Sequence, residues 1–281
     1  MASGIEALKG QSAIVTGGGS GINLAFTKLL VDVGVNFLIA DLSLHSSAQT
    51  WIKLHETTNG SHGRAFGKGA SIVVPGAGVF DHSTNSFWED YDTDYRYKIL
   101  DVNLAHTIKM TRLAIARWLD DRKRNGASSG ICGTVVHISS ISGQVPSLAT
   151  PLYVASKHGI NGFVRSMGPL QQACGIRVVG VAPGLTETPL LVDHPLTFSI
   201  YDPRTDMILP PEELARAMMA LVVETEKYQA GTILEVCDTE GRWCEVSVFN
   251  DPGPQGPASK MSGGKAVIDD LWKSLGLKAK I

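Results

Sequence analysis

The sequence predicts an α/β fold in which one doubly wound, mainly parallel sheet carries helices on both of its faces. Short apolar runs alternate with longer segments of helical spacing along most of the 281 residues, and this alternation is typical of βαβ units. The apolar runs are nearly continuous, as expected for strands that are covered on both faces. A glycine-rich stretch separates the first strand from the first helix. We therefore expect a single-domain, Rossmann-type architecture.

Each predicted element follows from its local pattern. Six strands are expected at residues 12–16, 35–40, 71–74, 133–139, 175–182 and 231–236. Helices are expected at residues 21–33, 46–56, 94–119, 152–174 and 211–223. The last of these helices begins with Pro211 followed by two glutamates, which is a favourable helix start. The helix at 94–119 is apolar on more than one face, which indicates either a subunit interface or a broad contact with the core.

The charge balance excludes several classes of function. The chain has 25 Lys and Arg residues against 27 Asp and Glu residues, and this balance gives no basic surface for nucleic acid or for an anionic membrane. The four cysteines lie far apart and without metal-ligand spacing, which argues against a disulfide framework and against a zinc site. We find no signal-peptide pattern and no apolar stretch long enough to span a bilayer. We therefore expect a soluble cytoplasmic protein without a bound metal.

The glycine-rich stretch at residues 16–22 predicts a phosphate-binding loop. Glycines here let the backbone approach a pyrophosphate, and the N-terminus of the following helix offers free N–H groups. Asp41 stands twenty residues after Gly21, at the end of the second predicted strand, where a carboxylate accepts hydrogen bonds from both ribose hydroxyls of an adenosine. No Lys or Arg occurs in the loop or at residues 42–43 to hold a 2′-phosphate. The pattern therefore predicts NAD rather than NADP.

A tyrosine and a lysine form a second chemical signal. Tyr153 and Lys157 lie four residues apart, so they share one face of the predicted helix. A free phenol has a pKa of about 10 and is a poor base, whereas a nearby ammonium group lowers that pKa by about 1–3 units. Ser140 ends the strand before this helix, thirteen residues before Tyr153. The spacing indicates a pair that can transfer a proton.

These motifs occur together and in order along the chain. The full signature comprises Thr16-Gly17, Gly21, Asn103 within DVNLAH, Ser140, Tyr153, Lys157 and Pro183-Gly184. On these residues the chain resembles the short-chain dehydrogenase/reductase superfamily over most of residues 5–250. The run YVASKHGINGFVRS and the stretch from 209 to 249 are similar to the NAD-dependent 15-hydroxyprostaglandin dehydrogenase-like branch of that superfamily.

The resemblance implies a role for each of these residues. Tyr153 would act as the general acid and base, Lys157 would bind the nicotinamide ribose and lower the pKa of Tyr153, and Ser140 would hydrogen-bond the substrate oxygen. Asn103 would hold a water molecule in a proton relay, and Thr188 would contact the nicotinamide carboxamide. The residues implied to bind NAD are Gly17, Gly19, Ser20, Gly21, Ile22, Asp41, Ala77, Gly78, Asn103, Tyr153, Lys157, Pro183, Gly184, Thr186 and Thr188.

The end of the chain changes in composition. Residues 251–264 are rich in Pro, Gly and Ser and are typical of a linker. Residues 265–276 then place apolar side chains on one helical stripe, which favours a helix docked on the body or on a neighbouring subunit, or else a frayed end. We therefore divide the chain into a dinucleotide-binding catalytic domain at 1–250 and a linker with a helical tail at 251–281.

Two substitutions depart from the family pattern. Asn23 stands where the loop pattern has a glycine, and its side chain is expected to crowd the approach of the helix to the pyrophosphate. Residues 75–78 read Pro-Gly-Ala-Gly in place of Asn-Asn-Ala-Gly. Pro75 therefore removes a backbone donor, and a side-chain amide that braces the sheet in the family is absent from this loop.

A third departure is the short segment between Asp41 and Pro75. After a helix at 46–56, too few residues are left for an edge strand that has to lie several strands away from the strand at 71–74. We therefore predict that the usual edge strand and its following helix are absent between residues 57 and 71. This leaves six main strands and one extra strand around 243–249. Either the adenine pocket is open, or a segment is missing from the sequence.

The predicted substrate is hydrophobic. Residues 189–210 form a long, largely apolar insertion, which indicates either a lid over the substrate or an ordinary surface loop with an apolar anchor. The leading hypothesis is hydride transfer between NAD and a secondary alcohol or ketone of the lipid, steroid, terpenoid or polyketide type. Prostaglandin is disfavoured because Thr150 replaces the family's glutamine.

Two other functions stay open at this point. The shortened cofactor half suits a non-redox scaffold or pseudoenzyme with an impaired cofactor site. A nucleotide-sugar epimerase shares the glycine loop and the Tyr-Lys pair but usually has a longer C-terminal substrate domain. The expected partners are a small hydrophobic substrate and further copies of the chain, in a homodimer or homotetramer.

Overall fold

The strands form one seven-stranded sheet. A computed structural model describes residues 2–59, 69–80, 87–90, 96–125, 132–193, 202, 204–248 and 264–277. The strands are β1 (Ser12–Thr16), β2 (Asn36–Ala40), β3 (Ile72–Pro75), β4 (Gly133–Ile138), β5 (Ile176–Pro183), β6 (Ile233–Val236) and β7 (Cys244–Glu245). Their order is β2-β1-β3-β4-β5-β6-β7. All neighbouring pairs are parallel except β6 and β7. The predicted doubly wound sheet is confirmed.

Helices and helical turns connect these strands. The helices are α1 (Ala2–Glu6), α2 (Gly21–Asp32), α3 (Ser46–Asn59), α4 (Lys98–Leu100), α5 (Thr107–Asn125), α6 (Pro151–Ser166), α7 (Leu170–Cys174), α8 (Pro189–Val192), α9 (Pro211–Val223) and α10 (Gly264–Ser274). A π-helical turn at Asp101–His106 joins α4 to α5. Short 3₁₀ turns lie at Phe87–Glu89 and Ile141–Gly143.

Apolar side chains cover both faces of the sheet. Helices α2 and α9 pack on one face, where Phe26, Leu214 and Leu221 belong to a single buried cluster. Helices α5 and α6 pack on the opposite face, and their cluster includes Ile115 and Ile160. Because helices cover both faces, the parallel strands can be apolar along their whole length, which explains their sequence pattern.

The tail helix α10 docks on the second of these faces. Trp272 is 7% exposed and Leu277 is 9% exposed, and both belong to the same cluster as Trp118 of α5. The outer side of α10 stays exposed at Val267, Ile268 and Leu271. The division of the chain into a catalytic domain and a tail remains a prediction.

Strand β2 lies at the edge of the described sheet. Among the residues that the structure describes, β2 pairs only with β1, and Leu38 within it is 44% exposed. Helix α3 ends at Asn59, and β3 begins at Ile72. The predicted absence of an edge strand and helix at 57–71 falls mainly on residues 60–68, which lie outside the described residues.

Two predicted helices are interrupted in the structure. The helix expected at 94–119 contains the π-helical turn at Asp101–His106 and extends to Asn125. The helix expected at 152–174 is divided between α6 and α7, because Pro169 has no N–H to continue the hydrogen-bond ladder. Gly168 also packs closely there, since a Cβ atom on it would lie 3.1 Å from the carbonyl oxygen of Ala230.

The insertion at 189–210 begins with helix α8 and ends at a bridge between Leu209 and Thr186. Residues 194–201 and 203, which include most of the predicted lid side chains, lie outside the described residues. The extra strand is shorter than expected, because β7 has two residues rather than the predicted 243–249. No described helix has the length and apolar character that a membrane span requires.

Candidate active site

The phosphate loop between β1 and α2 packs against two other segments. Gly17 and Gly21 adopt φ values of 66° and 53°, which other residues rarely reach. A Cβ atom on Gly17 would lie 2.6 Å from the Cα atom of Ala77. A Cβ atom on Gly21 would lie 2.8 Å from Cγ2 of Thr188. The structure therefore brings three segments of the predicted cofactor site into contact.

The N-terminus of α2 is open to an anion. Ser20 occupies the N-cap position with an extended backbone, and within the described chain its side chain makes no hydrogen bond to the first turn. The first N–H groups of a helix have no partner inside the helix, and the helix dipole favours negative charge beside them. Ser20 and Ile22 are half-buried. This end of α2 can therefore hold a phosphate group.

Asp41 closes the outer side of the same loop. Its Oδ2 atom accepts a hydrogen bond from the Gly19 N–H at 2.8 Å, and its Oδ1 atom accepts one from the Ser43 N–H at 3.2 Å. The Asp41 residue is exposed, so its carboxylate keeps lone pairs for further donors. The arrangement fits the predicted capture of ribose hydroxyl groups, and the negative charge repels a 2′-phosphate.

A second loop follows β3 and is tied to the first by Thr16. Thr16 Oγ1 accepts a hydrogen bond from the Ala77 N–H at 3.3 Å and lies 3.0 Å from Nε2 of His106. Burial lowers the pKa of His106 below its usual value, which favours the neutral imidazole as the partner of the hydroxyl group. Sequence reasoning missed His106, since nothing in its neighbourhood signals a contact with β1.

Asn103 braces the second loop from the π-helical turn. Its Oδ1 atom accepts from the Val79 N–H at 2.8 Å, and its Nδ2 atom donates to the Val79 carbonyl oxygen at 2.9 Å and to Ser156 Oγ at 3.4 Å. Asn103 is 1% exposed. Gly78 lies beside it, because a Cβ atom there would be 3.6 Å from Asn103 Oδ1. The described contacts position the loop, while the proton-relay role of Asn103 stays a prediction.

Tyr153 and Lys157 lie one turn apart on α6, as predicted. The Lys157 Nζ atom lies 5.3 Å from the centroid of the Tyr153 ring and donates a hydrogen bond to the Ile138 carbonyl oxygen at 2.9 Å. Lys157 is 6% exposed, and burial lowers its pKa to about 8. The lysine is therefore anchored at the end of β4, with its ammonium group beside the phenol.

Ser140 lies two residues after the carbonyl group that holds Lys157. It is 8% exposed, and its Oγ atom accepts a hydrogen bond from the Ser142 N–H at 3.1 Å. This contact starts the turn that leads from β4 toward α6 and leaves the hydroxyl proton of Ser140 able to donate. Ser140 and Lys157 thus meet at the carboxyl end of β4, where ligands of open α/β sheets bind.

The last predicted cofactor segment follows β5. The Gly184 N–H donates to the Val236 carbonyl oxygen at 2.9 Å, and Thr186 Oγ1 donates to the Gly184 carbonyl oxygen at 3.0 Å. Thr186 is buried, and Thr188 reaches the phosphate loop beside Gly21. The turn after Pro183 is therefore fixed at the same edge of the sheet as the phosphate loop.

Phe80 is a site residue that sequence reasoning missed. Its ring centroid lies 4.7 Å from that of Tyr153, and the two rings are inclined at 59°. Such tilted contacts between aromatic rings are favourable. The available signal was its position two residues after Gly78, at the end of the second loop. Phe80 covers one side of the phenol and therefore helps to fix the Tyr153 ring.

The two histidines near the site in sequence have structural surroundings. His137 is 0% exposed, and its Nε2 atom lies 2.9 Å from Thr111 Oγ1. Burial, with a smaller contribution from the charge of Lys157, lowers the pKa of His137 to about 3. His158 is exposed and pairs with the Val154 carbonyl oxygen of its own helix. Neither histidine is assigned a chemical role.

The described part of the chain holds no group of three or more His, Cys, Asp or Glu side chains that could bind a metal ion. Its cysteines Cys132, Cys174, Cys237 and Cys244 are free thiols. The site thus places a phenol, an ammonium group and a hydroxyl group at the carboxyl end of β4.

Known proteins resemble this chain in sequence. The short chain dehydrogenase family model matches residues 64–195. The 15-hydroxyprostaglandin dehydrogenase [NAD(+)] of Rattus norvegicus is 27% identical, over 83% of this chain and 93% of the relative. The (3R)-3-hydroxyacyl-CoA dehydrogenase of Homo sapiens is 28% identical, over 82% of this chain and 95% of the relative.

Solved structures share the fold. A short-chain type dehydrogenase/reductase from Mycobacterium marinum superposes with a TM-score of 0.64 at 21% identity, covering 82% of this chain and 94% of its own. A 4-hydroxyisoleucine dehydrogenase complexed with NADH superposes with a TM-score of 0.60 at 19% identity, covering 80% of this chain and 96% of its own. The family model and the curated relatives confirm the expected resemblance, and the solved structures share the fold. The chain is similar in sequence to members of the short-chain dehydrogenase/reductase superfamily.

Proposed function

We propose that this chain is an NAD-dependent dehydrogenase that oxidises a hydrophobic secondary alcohol to a ketone, with Tyr153 as the proton acceptor. The observation that carries the proposal is the position of Lys157. Its buried ammonium group is held by the Ile138 carbonyl oxygen and lies 5.3 Å from the Tyr153 ring centroid. A positive charge so close favours the phenolate form that a proton acceptor needs.

The residues of the loops fit a dinucleotide. The backbone around Gly17 and Gly19 leaves no room for a Cβ atom, since one on Gly19 would lie 2.7 Å from Asp41 Oδ2. The N-terminus of α2 suits the pyrophosphate, and the Asp41 carboxylate suits the adenosine ribose. Lys157 keeps two N–H groups beyond its bond to Ile138, and these can donate to the second ribose.

NAD is preferred over NADP on two grounds. The Asp41 carboxylate would repel a 2′-phosphate, and residues 42 and 43 are Leu and Ser rather than basic residues. Three relatives in the comparison carry NAD(+) in their names, the 15-hydroxyprostaglandin dehydrogenases of Rattus norvegicus, Bos taurus and Mus musculus.

The side chains of the site divide the proton chemistry between them. NAD, when bound, supplies the acceptor for the hydrogen that leaves the carbinol carbon with its electron pair. Ser140 donates a hydrogen bond to the substrate oxygen and fixes its position. Tyr153, as phenolate, takes the hydroxyl proton while the carbon–oxygen double bond forms. Lys157 stabilises the phenolate before transfer. In the reverse direction Tyr153 returns the proton to the oxygen of the ketone.

The apolar surroundings support a hydrophobic substrate. Trp88, Leu148 and Ala149 line an open groove of about 520 Å³, and the Trp88 indole N–H donates to the Leu148 carbonyl oxygen at 2.8 Å. Leu148 stands five residues before Tyr153 in the sequence. Leu190, in the segment after Thr188, is 41% exposed. These surfaces suit an alcohol with a large apolar body.

A direct assay tests the proposal. Purified protein is mixed with NAD and a panel of secondary alcohols of the steroid, terpenoid and fatty-acyl types, and NADH formation is followed by absorbance. We expect turnover with apolar members and none with sugars of similar size. Turnover with NADP in preference to NAD, or with sugars only, would contradict the proposal. The variant Tyr228→Phe serves as a control, because Tyr228 lies at the opposite end of β5, beside Arg177.

We further propose that the chain forms a homodimer or homotetramer. Leu113, a large apolar residue of α5, is 55% exposed in the single chain, which is compatible with the subunit-interface alternative for this helix. Light scattering during size-exclusion chromatography would give the mass, and a monomer at micromolar concentration would contradict this expectation. The cytoplasmic location stays a prediction from the sequence.

A further inference from the structure

Asn23 connects the two loops of the cofactor site. It lies in the first turn of α2 and is 7% exposed. Its Nδ2 atom donates to the Gly17 carbonyl oxygen at 3.2 Å and to the Gly76 carbonyl oxygen at 2.9 Å. Gly17 belongs to the phosphate loop and Gly76 to the loop after β3. One side-chain amide therefore bonds both loops.

The same side chain determines which residue can stand at position 76. A Cβ atom on Gly76 would lie 2.4 Å from Nδ2, 2.5 Å from Oδ1 and 2.6 Å from Cγ of Asn23. The φ angle of Gly76 lies outside the left-handed region. A glycine is therefore required here because a side chain would overlap Asn23, and not because the backbone adopts an unusual conformation. Side chains at positions 23 and 76 would therefore occupy the same volume.

The two departures from the family pattern thus have one physical explanation. The loop at 75–78 carries no side-chain amide. Asn23, which lies on α2, supplies an amide that bonds this loop at the Gly76 carbonyl oxygen. The two loops that Asn23 connects lie close together. Gly17 and Ala77 are packed so closely that a Cβ atom on Gly17 would lie 2.8 Å from the Ala77 N atom. Gly17 and Ala77 both belong to the predicted NAD site.

We propose that the amide and the glycine have changed places relative to the family pattern, so that Asn23 and Gly76 form an exchanged pair. In this pair, Asn23 is a positioning residue that holds the two NAD-binding loops at the separation the cofactor requires. This inference rests on the proposed function. Because the described hydrogen bonds of the amide go to the carbonyl oxygens of the two loops, its loss is expected to affect the binding of the dinucleotide and to leave proton transfer intact. The pair also predicts that neither position can be changed independently of the other.

The test is a double-mutant cycle with Asn23→Gly, Gly76→Asn and the double variant, in which NADH affinity is measured by fluorescence titration of the full chain. Loss of two hydrogen bonds is expected to weaken NADH binding about tenfold in Asn23→Gly, and the overlap of side chains to weaken it at least as much in Gly76→Asn. The double variant is expected to return to within about threefold of the wild type, since an amide again fills the shared volume.

Steady-state kinetics separates positioning from folding. In Asn23→Gly the KM for NAD should rise about tenfold, while kcat at saturating NAD and the KM for the alcohol stay unchanged. Asn23→Ala, which keeps a better helix former in the first turn, replaces Asn23→Gly if that variant does not fold. Thr27→Val is the matched control. Thr27 is a buried polar residue of α2 that bonds only the Asn23 carbonyl oxygen among its described contacts, so its loss should lower Tm without changing NADH affinity.

Two results would overturn the inference, and they are distinguishable. If wild-type protein binds no NADH, the proposed function fails and this inference fails with it. If the wild type binds NADH but the single variants bind equally well, or the double variant shows the summed losses of the two single variants, then Asn23 and Gly76 are not an exchanged pair and the proposed function is unaffected.

Discussion

Lys157 donates a hydrogen bond from Nζ to the Ile138 carbonyl oxygen at 2.9 Å, so a helix residue is anchored to the last residue of β4. This bond connects α6 to the sheet and fixes the position of the ammonium group relative to the end of β4. Tyr153, one turn earlier on α6, is held at the same edge. The packing of α6 against β4 therefore fixes the distance between the Lys157 ammonium group and the Tyr153 ring before any ligand binds.

Replacement of Tyr153 tests the proton acceptor. Tyr153→Phe keeps the ring and its contact with Phe80 but removes the hydroxyl group. We expect kcat to fall by about 10²–10⁴-fold, the usual contribution of a general base, and NADH affinity to stay within about threefold of the wild type. Steady-state assays and NADH titration measure both quantities. An active Phe variant would exclude Tyr153 as the acid and base.

Lys157 is expected to reduce stability in exchange for function. Its pKa in the folded chain is about 8 against 10.5 for an unperturbed lysine, so at neutral pH the folded state carries a buried charge. Lys157→Met should therefore raise the free energy of unfolding at pH 7 by about 1–3 kcal/mol while it abolishes turnover. The advantage should shrink as the pH rises from about 8 to 10.5, because the wild type then loses the charge. Urea unfolding across this range measures it. A variant less stable at every pH would contradict this account.

The low pKa of His137 predicts that the free energy of unfolding decreases in acid. Its pKa is about 3 in the folded chain against 6.5 when unperturbed. The unfolded chain therefore binds one more proton between these values, and stability is fully present above pH 6.5 and falls as the pH is lowered toward about 3. The slope from this residue alone approaches about 1.4 kcal/mol per pH unit. Urea unfolding of wild type and His137→Gln at several acidic pH values measures the difference in slope. Equal slopes would show that another group causes the acid sensitivity.

The tail helix is expected to contribute to stability but not to cofactor binding. Trp272 is 7% exposed and belongs to the cluster that contains Trp118. Trp272→Ala should cost about 3 kcal/mol of unfolding free energy and make the tail more susceptible to limited proteolysis. Val267→Ala is the control, since Val267 is 69% exposed and its loss should stay within about 0.5 kcal/mol. A Trp272 variant as stable as this control would show that the tail does not dock in solution.

The sequence predicted the sheet and the position of the site because both depend on local patterns. Strand identity follows from apolar runs, and the loop at 16–22 follows from its glycines between a strand and a helix. The π-helical turn at Asp101–His106 escaped prediction because one extra residue barely alters the apolar spacing. The break before α7 was missed although Pro169 signals it.

Contacts between distant segments could not be predicted in the same way. Asn23 and Gly76 are fifty-three residues apart, and the direction of the Asn23 side chain depends on how α2 packs beside the loop after β3. Phe80 and Tyr153 meet only because β3 and β4 are neighbours in the sheet. Such side-chain partners are determined by the tertiary structure. The residue types involved are common in any loop or helix, so the sequence alone does not indicate which of them will be in contact.

The most direct test of the account is a thermal shift measurement with NADH and with NADPH, on the wild type and on Asp41→Asn. A ligand at 100 times its Kd stabilises a protein by about 2.7 kcal/mol, which is a few degrees in Tm for a chain of this size. We predict a rise with NADH and none with NADPH for the wild type, and a smaller difference between the two for Asp41→Asn. Asp32→Asn, an exposed change on α2, should behave as the wild type. No shift with either dinucleotide, or equal shifts with both, would contradict the central claim that this chain is an NAD-dependent dehydrogenase.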